Sequence, residues 1–275
     1  SSIGTARLQL QAVNDAPVAR ADSLAGEEDR VLWLDAAALL ANDADVDDTT
    51  LLITAVGAAT GGQVALHAQP DGSQRVAFTP DANFHGAASF DYTITDPHGE
   101  LSTAMAQVRV GAVNDVPVAH GESASIDEDN AITFTPAQLL ANDSDADTAT
   151  DGQVLTVTAV TGAQNGVVTL LANGDVRFTP HANYHGPAQF SYTVADGAGD
   201  TADATVNLTV LSVNDTPVAV GESAAATEDT TLVIAAGTLL GNDSDVDTAT
   251  DGQILSISAI DGATHGTVDL VTLPD

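Results

Sequence analysis

Phe190-Ser191-Tyr192-Thr193-Val194 alternates apolar with polar residues, which is the period of a strand that buries one face. Ile132-Thr133-Phe134 and Leu155-Thr156-Val157-Thr158-Ala159 share this alternation. Residues 167–171 and 176–178 are separated by a short turn that contains an Asn-Gly pair, which is a strong hairpin signal. The sequence around Phe190 therefore predicts antiparallel sheet.

Two further strands extend this set, one after Pro117 and one from about residue 204 to residue 211. The count then reaches seven strands, and only Pro136–Leu140 has a helical pattern, over a short length. Seven short strands with frequent turns in about 100 residues are typical of an immunoglobulin-like β-sandwich. The predicted fold class is therefore all-β.

The same segment recurs along the 275-residue chain. Val13-Asn14-Asp15 returns at 113–115 and at 213–215, and the acidic run 42–47 returns at 142–147 and 242–247. A fixed period of this size indicates tandem copies of one module, and about 100 residues are enough for a module to bury its own core. We therefore predict tandem immunoglobulin-like β-sandwich domains of about 100 residues.

The period also places the domain boundaries. Thr5–Leu10 is similar to residues 205–210, so the chain is expected to begin inside a longer array and to be an excerpt of it. The predicted parts are a last strand of a preceding repeat (1–13), repeat 1 (14–112), repeat 2 (113–212) and an incomplete repeat 3 (213–275).

The composition is strongly acidic. The chain has 39 Asp and Glu against six basic residues, all of them Arg, and a formal net charge of −33. This balance argues against nucleic acid and anionic membrane surfaces as partners, and no stretch of about 20 apolar residues predicts insertion into a membrane. A solvated acidic surface would account for the charge alone, but the recurrence of the acids at fixed positions favours cation binding.

Strand parity predicts where these acids meet. If the strands run alternately down and up, the linker Asn114-Asp115, the loop 142–153 and the loop 195–200 lie at one end of repeat 2, and Glu128-Asp129 lies at the other. Copies stacked end to end then bring three acidic segments to each junction: the turn of one repeat, the linker, and the loops of the next repeat. The middle junction is expected to collect Glu28, Asp29, Asn114, Asp115, Asp143, Asp145, Asp147 and Asp196.

Such a cluster favours Ca²⁺. Two carboxylates about 4 Å apart repel by roughly 1 kcal/mol in water and roughly 4 kcal/mol near a protein surface. Ca²⁺ accepts six to eight oxygens in flexible geometry, whereas Zn²⁺ is disfavoured because the chain has no Cys and its His do not group with the Asp runs. The predicted metal ligands are Asn14, Asp15, Glu28, Asp29, Asp43, Asp45, Asp47, Asp96, Asn114, Asp115, Glu128, Asp129, Asp143, Asp145, Asp147, Asp196, Asn214, Asp215, Asp243, Asp245 and Asp247.

An EF-hand is excluded by spacing. With Asp143 as position 1 of the loop, position 6 is Thr148 rather than Gly and position 12 is Val154 rather than Glu. The loop must therefore complete its ligand set from elsewhere, and the junction offers ligands.

These motifs resemble a known family. Asn14-Asp15-Ala16-Pro17 and its copies are similar to the linker of cadherins. Ala112–Pro117, Leu139–Asp145, Phe178–Gly186 and Tyr192–Asp196 resemble the four motifs of bacterial cadherin-like tandem repeats in large RTX-type surface adhesins. The resemblance covers nearly the whole chain, but these linkers lack the leading Asp and the second Asn of the cadherin linker.

The resemblance implies a non-enzymatic, Ca²⁺-rigidified segment of a bacterial cell-surface or secreted protein. Such a segment extends an adhesin, supports cell adhesion or biofilm formation, and contacts the neighbouring repeats of the same chain. The alternative is that the repeats themselves bind a cell-surface glycan or self-associate. Three Tyr and one Trp are few for glycan binding, which favours the extender.

Two other features have structural interpretations. Trp33 is expected to lie partly buried on the second strand, and His85 and His185 are expected to belong to a shared structural turn.

Overall fold

The structure is a computed structural model that describes residues 7–11, 13–148 and 152–271. It divides into two compact units. Unit 1 holds the described parts of Ser1–Pro117, Ser144–Leu155 and Asp196–Asp200, and unit 2 holds those of Val118–Asp143, Thr156–Ala195 and Thr201–Asp275.

Unit 1 contains seven strands in two sheets. They are β1 (Asp22–Glu27), β2 (Leu32–Asp35), β3 (Leu52–Thr60), β4 (Gly62–Ala68), β5 (Gln74–Pro80), β6 (Gly86–Thr95) and β7 (Leu101–Gly111). One sheet has the order β1-β7-β6-β3 and the other has the order β2-β5-β4. β1 pairs with β7 in parallel, and the other pairs are antiparallel. After β2, the helical turn α1 (Ala36–Leu39) and a 3₁₀ turn (Leu40–Asn42) lead into the acidic loop.

Unit 2 repeats this arrangement. Its strands are β8 (Ser123–Asp127), β9 (Ile132–Phe134), β10 (Thr156–Gln164), β11 (Gly166–Leu170), β12 (Val176–Pro180), β13 (Gly186–Ala195) and β14 (Thr201–Leu211). The two sheets have the orders β10-β13-β14-β8 and β11-β12-β9, and β8 pairs with β14 in parallel. The predicted helical segment is the turn α2 (Pro136–Leu139), which Thr135 and Gln138 cap reciprocally.

The core of each unit lies between its two sheets. Every second residue of β6 and of β13 is buried along most of the strand, because alternate side chains of a strand point to opposite faces. Phe78 of β5 stacks on Phe90 of β6, and Phe178 of β12 stacks on Phe190 of β13, each with ring centroids 5.9 Å apart. These pairs join the two sheets into a sandwich. The predicted tandem β-sandwich fold is confirmed.

A buried tyrosine fixes the chain ahead of the first strand in each unit. The Tyr92 hydroxyl donates to the carbonyl of Arg20 at 2.7 Å, and the Tyr192 hydroxyl donates to the carbonyl of His120 at 2.9 Å. Burial raises the pKa of the Tyr92 phenol, and a hydrogen bond with Asp22 raises it further, so the group stays a donor. The start of each repeat is thereby held against its sheet.

Residues 213–271 are less regular. They contain the helical turns α3 (Ala236–Leu239) and α4 (Asp247–Thr250), and Val218 forms an isolated antiparallel bridge with Ser244. No strand is described within this range. The assignment of 213–275 to an incomplete repeat stays a prediction.

The leading segment also has no described strand. Residues 7–11 carry no regular structure, and Leu8 and Leu10 are 84% and 87% exposed. The expected strand therefore finds no partner among the described residues, and its assignment to a preceding repeat stays a prediction. None of the helical turns described anywhere in the chain has the length and hydropathy that a membrane span needs.

Candidate metal centres

Glu28 ties the turn after β1 to the linker that follows β7. Glu28 is 1% exposed, its Oε1 accepts a hydrogen bond from Val113 N at 2.8 Å, and its own N donates to the Gly111 carbonyl at 3.0 Å. Asp29 adopts a φ of 56°, and its Oδ1 accepts a hydrogen bond from Asn83 N at 3.2 Å. Both carboxylates are thus fixed beside the linker.

Asp115, Asp145 and Asp147 form a chain of backbone-to-carboxylate hydrogen bonds. Asp115 N donates to Asp147 Oδ2 at 2.7 Å, and Asp147 N donates to Asp145 Oδ1 at 2.8 Å. Asp145 and Asp147 are 8% and 3% exposed. The remaining oxygens Asp115 Oδ2 and Asp145 Oδ2 are buried and accept no hydrogen bond within the described chain. Leaving such an atom unpaired costs about 1–3 kcal/mol, and more when it is charged, so these oxygens are suited to a cation.

The Asn114 side chain connects the linker to two loops. Its Nδ2 donates to Asp196 Oδ2 at 2.7 Å and to Asp200 Oδ2 at 2.8 Å. Its Oδ1 accepts a hydrogen bond from Gln153 Nε2 at 2.7 Å. Both ends of the Asn114 amide are therefore occupied by protein groups. In this arrangement Asn114 holds Asp196, Asp200 and Gln153 beside the linker.

Asp196 is held in its ionised form by hydrogen bonds. It is 1% exposed, and its Oδ1 accepts from the backbone N–H groups of residues 198, 199 and 200 at 2.7, 2.9 and 3.1 Å. The hydrogen bond from Asn114, followed by these backbone donors, lowers the pKa of the Asp196 carboxyl. The loop after β13 therefore holds the Asp196 side chain as a carboxylate in a fixed position.

Asp115 has the opposite electrostatic environment. Burial raises the pKa of its carboxyl, and the carboxylates of Asp29, Asp147, Glu28 and Asp145 raise it further, in that order. Five acidic side chains thus meet in unit 1, where the His85 Nδ1 lies 3.7 Å from Glu28 Oε2. A bound divalent cation would remove this repulsion.

Unit 2 builds the same arrangement at the following linker. Glu128 Oε1 accepts a hydrogen bond from Val213 N at 2.8 Å, and Asp129 Oδ1 accepts one from Asn183 N at 3.0 Å. The turn after β8 is therefore fixed in the same way as the turn after β1.

The hydrogen bonds that link successive aspartates in unit 1 also occur in unit 2. Asp215 N donates to Asp247 Oδ2 at 2.7 Å, and Asp247 N donates to Asp245 Oδ1 at 2.9 Å. Burial raises the pKa of the Asp215 carboxyl, and the charges of Asp129, Asp247, Glu128 and Asp245 add to this shift. Asn214 Nδ2 donates to the carbonyl of Asp215.

The first acidic loop, in repeat 1, differs in one respect. Asp15 N donates to Asp47 Oδ2 at 2.8 Å and Asp47 N to Asp45 Oδ1 at 2.7 Å, as in the other copies. Asn14 Nδ2 donates to Asp96 Oδ2 at 2.6 Å. The prediction that the His do not group with the Asp runs is wrong in this copy, because ligand atoms of Asp48, Asp96 and His98 lie within 4.8 Å of one another.

Asp43, Asp143 and Asp243 bond to the start of their own repeat, and their role as ligands stays a prediction. Asp43 Oδ1 accepts a hydrogen bond from Arg20 N at 2.7 Å and lies 3.3 Å from the Tyr92 hydroxyl. Asp143 and Asp243 accept the equivalent backbone bonds from residues 120 and 220 at 2.7 and 2.8 Å. These carboxylates face the start of their own repeat, and the backbone N of each donates to the carbonyl three residues earlier, which fixes its position after the helical turn.

The structure thus brings together most of the predicted ligands. In unit 1 the group around the linker is Glu28, Asp29, Asn114, Asp115, Asp145, Asp147 and Asp196, and in unit 2 it is Glu128, Asp129, Asn214, Asp215, Asp245 and Asp247. Sequence reasoning missed Gln153 and Asp200. It also passed over Asp251, whose carboxylate accepts a hydrogen bond from the Ser212 hydroxyl. Asp151, the counterpart of Asp251, lies outside the described residues.

Several solved structures are similar to this chain in fold. The extracellular cadherin domains 1–5 of protocadherin gamma B2 are 16% identical, with 81% of this chain and 46% of that chain covered and a TM-score of 0.42. Domains EC1-2 of human mucin-like protocadherin are 19% identical over 72% of this chain and 98% of that chain, with a TM-score of 0.40. An endo-fucoidan hydrolase from glycoside hydrolase family 107 is 19% identical over 72% of this chain, with a TM-score of 0.31. The chain spans only 29% of the length of that hydrolase.

No curated protein matches the sequence. A family model does match it, described as a cadherin-like domain, at residues 13–111, 113–211 and 213–271. Domains of this kind are generally non-enzymatic and typically bind calcium. Because the three matches cover most of the chain, the protein belongs to the cadherin-like domain family, as a tandem of three such domains.

Proposed function

We propose that this chain is a calcium-rigidified extender segment of a bacterial cell-surface adhesin that supports cell adhesion or biofilm formation. The strongest support is the pair of buried carboxylate oxygens Asp115 Oδ2 and Asp145 Oδ2, which meet no hydrogen-bond donor in the described residues. Tandem copies of one domain add length without adding new chemistry, which supports an extending role. The net charge of −33 is compatible with an extracellular location.

The donor set fits Ca²⁺ best among common divalent ions. Glu28, Asp29, Asp115, Asp145 and Asp147 offer carboxylate oxygens, and the chain has no Cys that could supply a thiolate. Ca²⁺ tolerates irregular oxygen cages, whereas Mg²⁺ requires near-octahedral geometry and keeps several waters. When bound, Ca²⁺ would offset the mutual repulsion of these carboxylates and would join the turn, the linker and the acidic loop. The equivalent set in unit 2 is Glu128, Asp129, Asp215, Asp245 and Asp247.

Calorimetric titration tests the ligand assignment. We expect Ca²⁺ to bind the chain with dissociation constants of roughly 10⁻⁴ to 10⁻³ M, as extracellular modules do. The double substitution Asp145→Asn with Asp147→Asn should remove the ions of the unit 1 cluster and should leave those of unit 2 in place, so the stoichiometry should fall without reaching zero.

A charge-matched control accompanies this variant. Asp175→Asn with Asp203→Asn removes the same charge from repeat 2, at a hairpin turn and at an exposed strand position away from the linker. Its stoichiometry should equal that of the unsubstituted chain. Equal losses in both double variants would mean that the ion responds only to general acidity, and would contradict the proposed ligands.

Small-angle scattering tests rigidification. Removal of Ca²⁺ restores repulsion among the carboxylates around each linker, so the linker should become a hinge. We expect a narrow distribution of particle dimensions in Ca²⁺ and a broader one after chelation, with the Asp145→Asn and Asp147→Asn variant intermediate between them. Identical profiles in both conditions would contradict the extender role even if calorimetry detected binding.

A further inference from the structure

Trp33 is the only tryptophan of the chain, and it lies exposed on the outer face of the β2-β5-β4 sheet. It is 47% exposed, whereas Leu32 and Leu34 on either side are directed toward the core. Its cross-strand partner Ala77 is only 6% exposed although it shares the outer face, so neighbouring side chains cover this small residue. The indole therefore sits on a flat part of the sheet with about half of its surface open to solvent.

Three polar side chains surround the indole. The His67 ring lies 5.2 Å from it between centroids, tilted by 55°, and the Arg75 guanidinium carbon lies 5.4 Å from the ring centroid. Arg75 Nε donates to Asp35 Oδ1 at 2.9 Å, while the two side chains stay 41% and 74% exposed. The ion pair thus holds the guanidinium beside the indole and still leaves N–H donors and a carboxylate oxygen available to a ligand.

The other copies lack this surface. Thr133 stands at the position of Trp33 in repeat 2, and its cross-strand partner is Arg177 rather than an alanine. In repeat 3 the position of Trp33 is occupied by Val233. In repeat 2 the position of Arg75 is occupied by Asp175, just before β12. The core residues of the two sandwiches recur, as the stacked phenylalanines show, so folding does not require the indole.

We propose that this surface, the Trp33 platform (Trp33, Asp35, His67 and Arg75), binds a neutral hexopyranose unit of a glycan. The C–H face of a pyranose ring packs on an aromatic face, and adjacent hydroxyls can accept from a guanidinium while donating to a carboxylate. Ligand sites combine such an apolar surface with a few placed polar groups. The Trp33 platform goes beyond the extender role, and none of its four residues is a proposed calcium ligand.

Charge restricts the ligand to neutral sugars. Arg75 is balanced by Asp35 within the platform, and the whole chain carries −33, so sulfated or uronate glycans and acidic peptides are repelled. A second copy of the same chain is repelled for the same reason. A neutral sugar pays no such electrostatic penalty.

The full chain can be titrated with the methyl glycosides of glucose, galactose, mannose and N-acetylglucosamine, and with methyl glucuronide as the anionic counterpart. Because Trp33 is the sole tryptophan, its fluorescence reports on the platform directly. We expect saturable shifts with at least one neutral glycoside, at a dissociation constant of about 1 mM or weaker for so small a ligand on an open surface, and none with the glucuronide. Saturation-transfer NMR should detect the same sugar.

Variants separate the platform from other causes. Trp33→Thr introduces the residue of repeat 2 and should abolish saturation transfer, and Asp35→Asn should weaken binding about tenfold. Arg177→Ala, on the equivalent sheet of repeat 2, should leave binding unchanged. The binding should also persist in EDTA, which keeps this inference distinct from the calcium proposal.

Three results would overturn the proposal. The first is that no neutral glycoside binds up to about 50 mM, a concentration well beyond the weak dissociation constants expected of single sugars. The second is that the Trp33→Thr variant binds the sugar as well as the unsubstituted chain does. The third is that the chain self-associates in sedimentation experiments and that Trp33→Thr abolishes this self-association.

Discussion

Ca²⁺ at about 10 mM, roughly one hundred times a dissociation constant of about 10⁻⁴ M, is expected to raise the melting temperature of this protein by about 10–20 °C, and chelation is expected to reverse the shift. A ligand that binds only the folded state stabilises it by about 2.7 kcal/mol at one hundred times its dissociation constant. For a domain of 60–100 residues, each 1 kcal/mol shifts the midpoint by about 4–8 °C. The buried, unpaired oxygens of Asp115, Asp145 and Asp215 lose their penalty at the same time.

Thermal unfolding with and without EDTA, followed by circular dichroism, measures this effect. Mg²⁺ at the same concentration and ionic strength is the control, and it should stabilise less because its geometry is more demanding. The Asp145→Asn and Asp147→Asn variant should keep the part of the shift that arises from unit 2. A melting curve that does not respond to chelator would leave only a solvated acidic surface.

The β-sandwich could be predicted because its signals are local. The alternation of Phe190, Tyr192 and Val194 with polar residues follows from the two faces of a strand, and all three are buried. The Asn173-Gly174 pair predicted the hairpin, and β11 and β12 pair around it. The recurrence of these signals at a fixed spacing then gave the number of modules.

The candidate site could be predicted only in part, because side-chain direction depends on the tertiary structure. Asp143 and Asp145 are two residues apart and read identically in the sequence, yet Asp143 accepts a hydrogen bond from His120 N whereas Asp145 accepts one from Asp147 N. The difference arises because Asp143 ends the turn that follows α2, whereas Asp145 begins the 3₁₀ turn at Ala146–Thr148. No repeating pattern of residue types distinguishes a carboxylate bonded to the start of its repeat from one bonded within the acidic loop.

Other contributors were missed because they are not repeated in every copy. Gln153 lies in an insertion that repeat 1 lacks, and its bond to Asn114 requires a loop to reach the linker. Asp200 bonds to Asn114, but its counterpart in repeat 1 is Glu100. Reading only the invariant positions of a repeat finds the shared ligands and overlooks the residues that orient them.

Residues 223–264 are expected to exchange amide hydrogens on the order of a hundredfold faster than residues 123–164, a difference of roughly 2.7 kcal/mol in local stability. In unit 2, β8, β9 and β10 each pair with a strand between residues 176 and 211. The corresponding segments of the third repeat pair with no strand described in the structure, and Leu232, Val233 and Ile234 are 48%, 60% and 39% exposed. Unpaired backbone and exposed apolar side chains both favour local opening.

Hydrogen exchange measured at low protein concentration, in Ca²⁺ to keep the linkers occupied, tests this expectation. A chimera in which a second copy of residues 172–211 follows Val271 supplies the missing partner strands from the chain's own sequence. Its third repeat should then become as protected as the second, because counterparts of β12, β13 and β14 can pair with segments 232–234, 256–264 and 223–227. If residues 223–264 of the unaltered chain were already as protected as residues 123–164 in a monomer, the proposed boundary of the third domain would be wrong. If the chimera alone failed to gain protection, pairing would not be what limits the stability of this segment.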